Sequence, residues 1–222
     1  MVLDASLEAK EPESALVAEE RIVLQNISWE TFERLLTEVS ENRSTRFHYL
    51  EGMLEIMSPL SRHEGSNRFI ESLITVIAEE LNLNLRKLGS LTMKRRDQQT
   101  GGEPDSCYYI QNEPLVRGKE EIDLKTDPPP DLVLEVDITH PSDRRLPIYA
   151  NLGVPELWKY DGKTLQYYVL QENAYVQVEQ SFAFPWLPGE VILEFLAKRL
   201  EIGEIQPIKQ FKTWIRQAVE SN

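Results

Sequence analysis

Apolar and polar positions change period along this chain, and the changes mark its elements. The clearest stretch is PPPDLVLEVDITHPSDRRLPIYANLGVPELWKYD, Pro128 to Asp161. Its proline run stops whatever precedes it, because proline donates no backbone hydrogen bond and restricts its neighbour. A period of two follows. Leu132, Leu134 and Val136 share one face of an expected strand, and Asp131, Val133, Glu135 and Asp137 the other. Thr139 to Asp143 reads as a turn rich in helix caps, and Arg144 to Leu152 as a short helix with Pro147 in its first turn and Gly153 at its end. Leu157 to Tyr160 and Thr164 to Leu170 are strands joined by Asp161-Gly162. Acids thus gather at the outgoing end of an apolar strand.

The remaining pattern completes the set. Residues 1 to about 20 show no periodicity and read as a loose end. Arg21 to Leu24 is extended. Ser28 caps a helix over Trp29 to Ser40, with Phe32, Leu35, Leu36 and Val39 on one stripe. Arg46 to Leu50 and Met53 to Met57 form a hairpin about Glu51-Gly52. Ser61 and Glu64 spell a capping box ahead of a helix that runs to about Asn82. Asn84 to Leu88 and Leu91 to Lys94 are extended, Gln98 to Gly102 is a loop, and a strand runs from Glu103 or Asp105 to Ile110. Gln111 to Asp127 is a polar excursion. Tyr175 to Val178 is another strand, and Val191 to Leu200 and Phe211 to Val219 are helices. The order predicts an α/β or α+β domain with a mixed sheet.

Composition narrows the function. The 222 residues are 41% hydrophobic and 27% charged, with a formal net charge of -13. They suit one sizeable core. No window approaches the apolar length of a membrane span, and the start lacks the pattern of a signal peptide, so a cytoplasmic location without membrane contact is expected. A single cysteine, Cys107, excludes an internal disulfide and a cysteine-rich metal site. The acidic excess counts against non-specific nucleic-acid binding, and less against an enzyme whose acids hold a cation. Arg86 to Arg96 carries five basic residues and no acid. Such a strip suits a phosphodiester, or is simply a solvated face.

The acids supply the candidate chemistry. Asp105 opens one strand and Glu135 ends another. If those strands pair, both carboxylates reach one hard divalent cation. Asp137 shares the Glu135 face. Glu64 is either the capping-box carboxylate or a further ligand from the neighbouring helix. His63 is a candidate proton carrier or phosphate contact, and His140 a candidate at the edge of the site. Tyr149, Trp158 and Cys107 read as core. There is no dinucleotide, Walker or nucleophile-elbow motif.

Four segments in order, RFHYLEGMLEIMSPLSRHE, GGEPDSCYYI, PPDLVLEVDITHPSDRR and IYANLGVPELWKYD, resemble the Uma-type restriction endonuclease family. That family is abundant in cyanobacteria, was once a domain of unknown function, and belongs to the PD-(D/E)XK nuclease superfamily. The resemblance spans roughly residues 29 to 190. It implies a restriction-endonuclease-like core, a central mixed sheet flanked by helices, within a single domain over 21–222 behind a flexible segment 1–20. It implies magnesium-dependent hydrolysis of DNA phosphodiester bonds, with manganese as a substitute, by a homodimer. Asp105 and Glu135 match the metal-holding acids, Glu64 lies near an extra acidic ligand, and His63 matches a histidine before the first core helix. Asp137 stands where the superfamily has a catalytic lysine, and Arg145 where many family members have another. Arg145 or Lys94 would then meet developing charge, and Asp137 would add a ligand, orient water or take up a proton. The opposing expectation is a weak or inactive nuclease-fold protein acting in binding or assembly. Hydrolysis of a smaller phosphate ester is a third.

Overall fold

The computed structural model describes residues 20–39, 45–58, 61–89, 91–138 and 143–220, with only the backbone for Ser61 and Arg62. Residues 1–19, the turn at 139–142 with His140, and the side-chain cap expected of Ser61 lie outside the described residues.

The N-terminal half builds β1 (Glu20–Leu24), α1 (Trp29–Glu38), β2 (Arg46–Leu50), β3 (Met53–Ser58) and α2 (Ser61–Glu80). It continues through β4 (Arg86–Leu88), β5 (Met93–Arg95), β6 (Thr100–Gly102), β7 (Ser106–Tyr109) and the short α3 (Glu113–Val116). Then come β8 (Leu132–Val136), α4 (Leu146–Leu152), β9 (Glu156–Tyr160), β10 (Leu165–Gln171), β11 (Ala174–Val178), α5 (Gly189–Ile202) and α6 (Ile205–Glu220).

Local chemistry explains the first elements. The Ser28 hydroxyl accepts from the Thr31 N–H at 3.2 Å and so starts α1. Glu51 and Gly52 both have positive φ, 46° and 89°, the twist that a two-residue hairpin needs. That turn fixes the register and sets His48 opposite Glu55.

The strands make two sheets rather than one. An antiparallel sheet runs β1-β3-β2-β6-β5, and a second runs β11-β10-β9-β8-β7-β4 with β8 and β9 parallel. The second is the expected central mixed sheet flanked by helices. One face carries Leu132, Leu134 and Val136 into a core shared with α2, α5 and α6. The other carries Cys107, Val133 and Leu157 against α4 and Met93. Helix α4 packs on β2, β5 and β6 of one sheet and on β11 of the other, so it lies between them.

Sequence periodicity misses β6. Thr100 to Gly102 pairs with both β2 and β5, although glycine weakens a strand. Packing supplies the reason: a Cβ on Gly101 would stand 2.7 Å from Phe32 Cζ, so the buried ring demands glycine there. The last helix also begins at Ile205 rather than near Phe211. Among the described residues, no helix is long and apolar enough to cross a membrane.

Candidate active site

The site forms where β7 and β8 lie side by side. Ser106 pairs with Leu134, and one step outward along that antiparallel register Asp105 faces Glu135. Asp105 Oδ2 accepts the Val136 N–H at 2.8 Å. The Asn67 side chain of α2 donates to the Asp105 carbonyl at 3.2 Å, which ties the helix to the start of β7. Both carboxylates are buried, 4% exposed for Asp105 and 3% for Glu135.

Their surroundings push them apart electrostatically. Burial, then the neighbouring Glu135 charge, raises the Asp105 carboxyl to about 7. Burial also acts upward on Glu135. The Arg145 charge together with His48 and Tyr149 outweighs it and holds Glu135 down at about 2. Glu135 Oε2 accepts from Arg145 Nη1 at 2.5 Å, and Oε1 accepts from the Tyr149 hydroxyl. His48 Nε2 lies 3.1 Å from that hydroxyl and 3.7 Å from Glu135 Oε1.

Arg145 joins the two sheets. Its Nε and Nη2 donate to Glu55 Oε1 on β3, at 3.0 and 2.8 Å, while Nη1 holds Glu135 on β8. Arg21 of β1 pairs with the other Glu55 oxygen. The result is a buried chain of charges, Arg21, Glu55, Arg145 and Glu135, with Asp105 beside it.

Asp137 continues the strand on the same face. It is 3% exposed, and its N–H donates to the Tyr160 carbonyl at 2.9 Å. With Glu135, Arg145 and Lys159 it lines a cleft of about 10 Å³, near the space that one water needs. Lys159 of β9 is the parallel partner of Glu135, and its ammonium donates to Asp143 Oδ1 at 2.6 Å.

The structure therefore brings Asp105, Glu135, Asp137 and Arg145 together. His63 is buried one helical turn before Asn67, on the same face of α2. Glu64 is half-exposed and bonds Arg68 Nε at 2.6 Å. Lys94 is exposed, and its ammonium pairs with Glu33 of α1 at 3.1 Å, outside this group. Sequence reasoning missed Glu55, His48, Lys159 and the polar role of Tyr149. The hairpin register places His48 opposite Glu55, so that pair was readable from the two-residue turn. The lysine required the parallel pairing of β8 and β9.

A magnesium ion suits these donors in type. Two buried carboxylates stand side by side at the ends of neighbouring strands, and burial, then the Glu135 charge, raises Asp105. Magnesium commonly takes one or two carboxylates with waters and substrate phosphate. Among the described residues, no group of three or more His, Cys, Asp or Glu is placed to hold a metal. The fit is that of a two-carboxylate site, in which Glu135 is already bonded through both oxygens.

No curated protein matches the chain. A crystal structure from Anabaena variabilis, described as "a putative nuclease belonging to DUF820", is 16% identical over 82% of this chain and 97% of that one, with a TM-score of 0.48. The family profile that matches residues 29–197 is Uma2, described as "Putative restriction endonuclease". That match takes in α1, the hairpin, both acid-bearing strands and the Arg145 helix, and the chain belongs to the Uma2 family.

Proposed function

We infer that this protein is a metal-dependent endonuclease that hydrolyses DNA phosphodiester bonds at Asp105 and Glu135. The observation that carries the reading is the facing pair itself: two buried carboxylates side by side at adjacent strands. Asp105 and Glu135 would hold magnesium, or manganese in its place. When bound, the ion would supply Lewis-acid polarisation of the phosphate and an acidified water. The chain's own residues do the rest. Tyr149 and His48 fix the orientation of Glu135. Arg145 sets a permanent positive charge beside both acids and, as a guanidinium, acts as a charge rather than as a base. Asp137 shares the cleft and can accept a proton or orient water. Cutting both strands calls for two such centres, which makes a homodimer part of the proposal.

A second reading has its own support. Glu135 is bonded through both oxygens, and Asp137 stands where a lysine is expected. Both features favour a nuclease-fold protein that binds without cutting.

Incubation of supercoiled plasmid with magnesium or manganese separates the two. The endonuclease reading predicts nicking that Asp105→Asn reduces at least about 100-fold, the scale expected when transition-state charge loses its partner. Retention of the plasmid by the native protein with no cleavage in either ion supports the second reading instead.

A further inference from the structure

We propose that Lys159 is the phosphate-contacting cation of this centre, exchanging Asp143 for a phosphate oxygen of DNA. The proposal rests on the reading of DNA as substrate and adds a residue that the family resemblance did not supply.

A phosphodiester at the mouth of the cleft faces the buried carboxyl groups of Glu135 and Asp137. A cation must face it there. Arg145 is poorly placed to turn outward. Three of its nitrogens bond Glu55 and Glu135, and it is 6% exposed. Releasing it would take from two buried carboxylates the guanidinium they share, and breaking a buried pair is costly. Lys94 lies on β5 of the other sheet, beside Glu33 and outside this group.

Lys159 differs on each point. The register of β8 with β9 sets it beside Glu135, and the alternation that puts Val133 and Leu157 in one core puts Glu135 and Lys159 on that same face. Its side chain is 8% exposed, while that of Asp143 is 72% exposed. The stem is buried at the cleft, and the ammonium reaches Asp143, whose side chain sits in solvent. A pair with one partner so exposed is cheap to break, because water and salt replace Asp143 readily. A phosphate oxygen offers the ammonium the same charge-assisted bond that Asp143 now gives.

The test reads binding, not cutting. A short labelled DNA duplex is titrated with the full chain in the absence of divalent ions, at several salt concentrations. Lys159→Met should weaken binding about tenfold and lower the salt slope by about 1, the signature of one lost phosphate contact. Lys159→Arg should restore the slope, which a merely structural lysine would not require. Asp143→Asn, which leaves Lys159 in place without its partner, should tighten binding. It carries the test alone if Lys159→Met does not fold. An unchanged slope in a folded Lys159→Met, no tightening in Asp143→Asn, or no duplex binding by the native chain overturns the proposal. A native chain that binds through Lys159 but never cleaves would sink the endonuclease reading and leave this one standing.

Discussion

Arg145 shows how much one side chain decides here. It is held by Glu55 and Glu135 from two different sheets, so its loss or the loss of a partner is felt in both. Glu135→Gln keeps the shape and removes the charge. It should cost about 3 kcal/mol in urea unfolding at neutral pH, the scale of a broken buried pair. Because Glu135 is held near 2, its stabilising share is present above the ordinary carboxylate range and is lost as the pH falls toward 2. Asp105 has the opposite sign. Its carboxyl is raised from 3.8 to about 7, so between those values the folded chain keeps a proton that the unfolded chain has released. Stability from this group therefore falls as the pH rises through that window. Asp105→Asn should remove the fall, and in metal-free protein it should gain about 2–4 kcal/mol on the native chain between pH 4 and pH 7. Thermal unfolding across that range checks it, and parallel curves for the two proteins would contradict the raised carboxyl.

Among the elements, those with a strong local signal were legible and those made by packing were not. The Glu51-Gly52 turn, the Ser28 cap and the period of two over Leu132 to Val136 all predict what forms, because each is settled within a few residues. Strand β6 is settled by Phe32, far away in sequence, and its glycines argue against a strand until that ring is seen. Gly101→Ala should cost about 1–3 kcal/mol by overpacking, and Phe32→Leu should relieve part of it in the double mutant. Additive costs in that cycle would show that the ring is not the reason for the glycine. The facing of Asp105 and Glu135 was conditional on strand pairing, which the sequence could pose but not decide. The hold of Arg145 on Glu55 was out of reach, since it joins residues of separate sheets.

At the scale of the molecule, the basic stretch from Arg86 to Arg96 turns out to be paired. Lys87 bonds Glu71, Lys94 bonds Glu33, Arg95 bonds Asp97 and Arg96 bonds Glu30, while Arg86 bonds the carbonyls of Val116 and Lys119. That is the pattern of a solvated face, its cations already facing acids. With a net charge of -13 and few cations meeting phosphate, DNA association should depend only shallowly on salt, and Lys94→Ala should change duplex affinity less than about twofold. The proposed activity thus rests on the small buried centre between the sheets rather than on a broad charged surface. Its most direct test is magnesium titration by calorimetry of the native chain and of Asp105→Asn. A metal centre at Asp105 and Glu135 gives a heat of binding in the native protein that the variant lacks while remaining folded. No binding by the native chain at millimolar metal, or equal binding by both proteins, would contradict it.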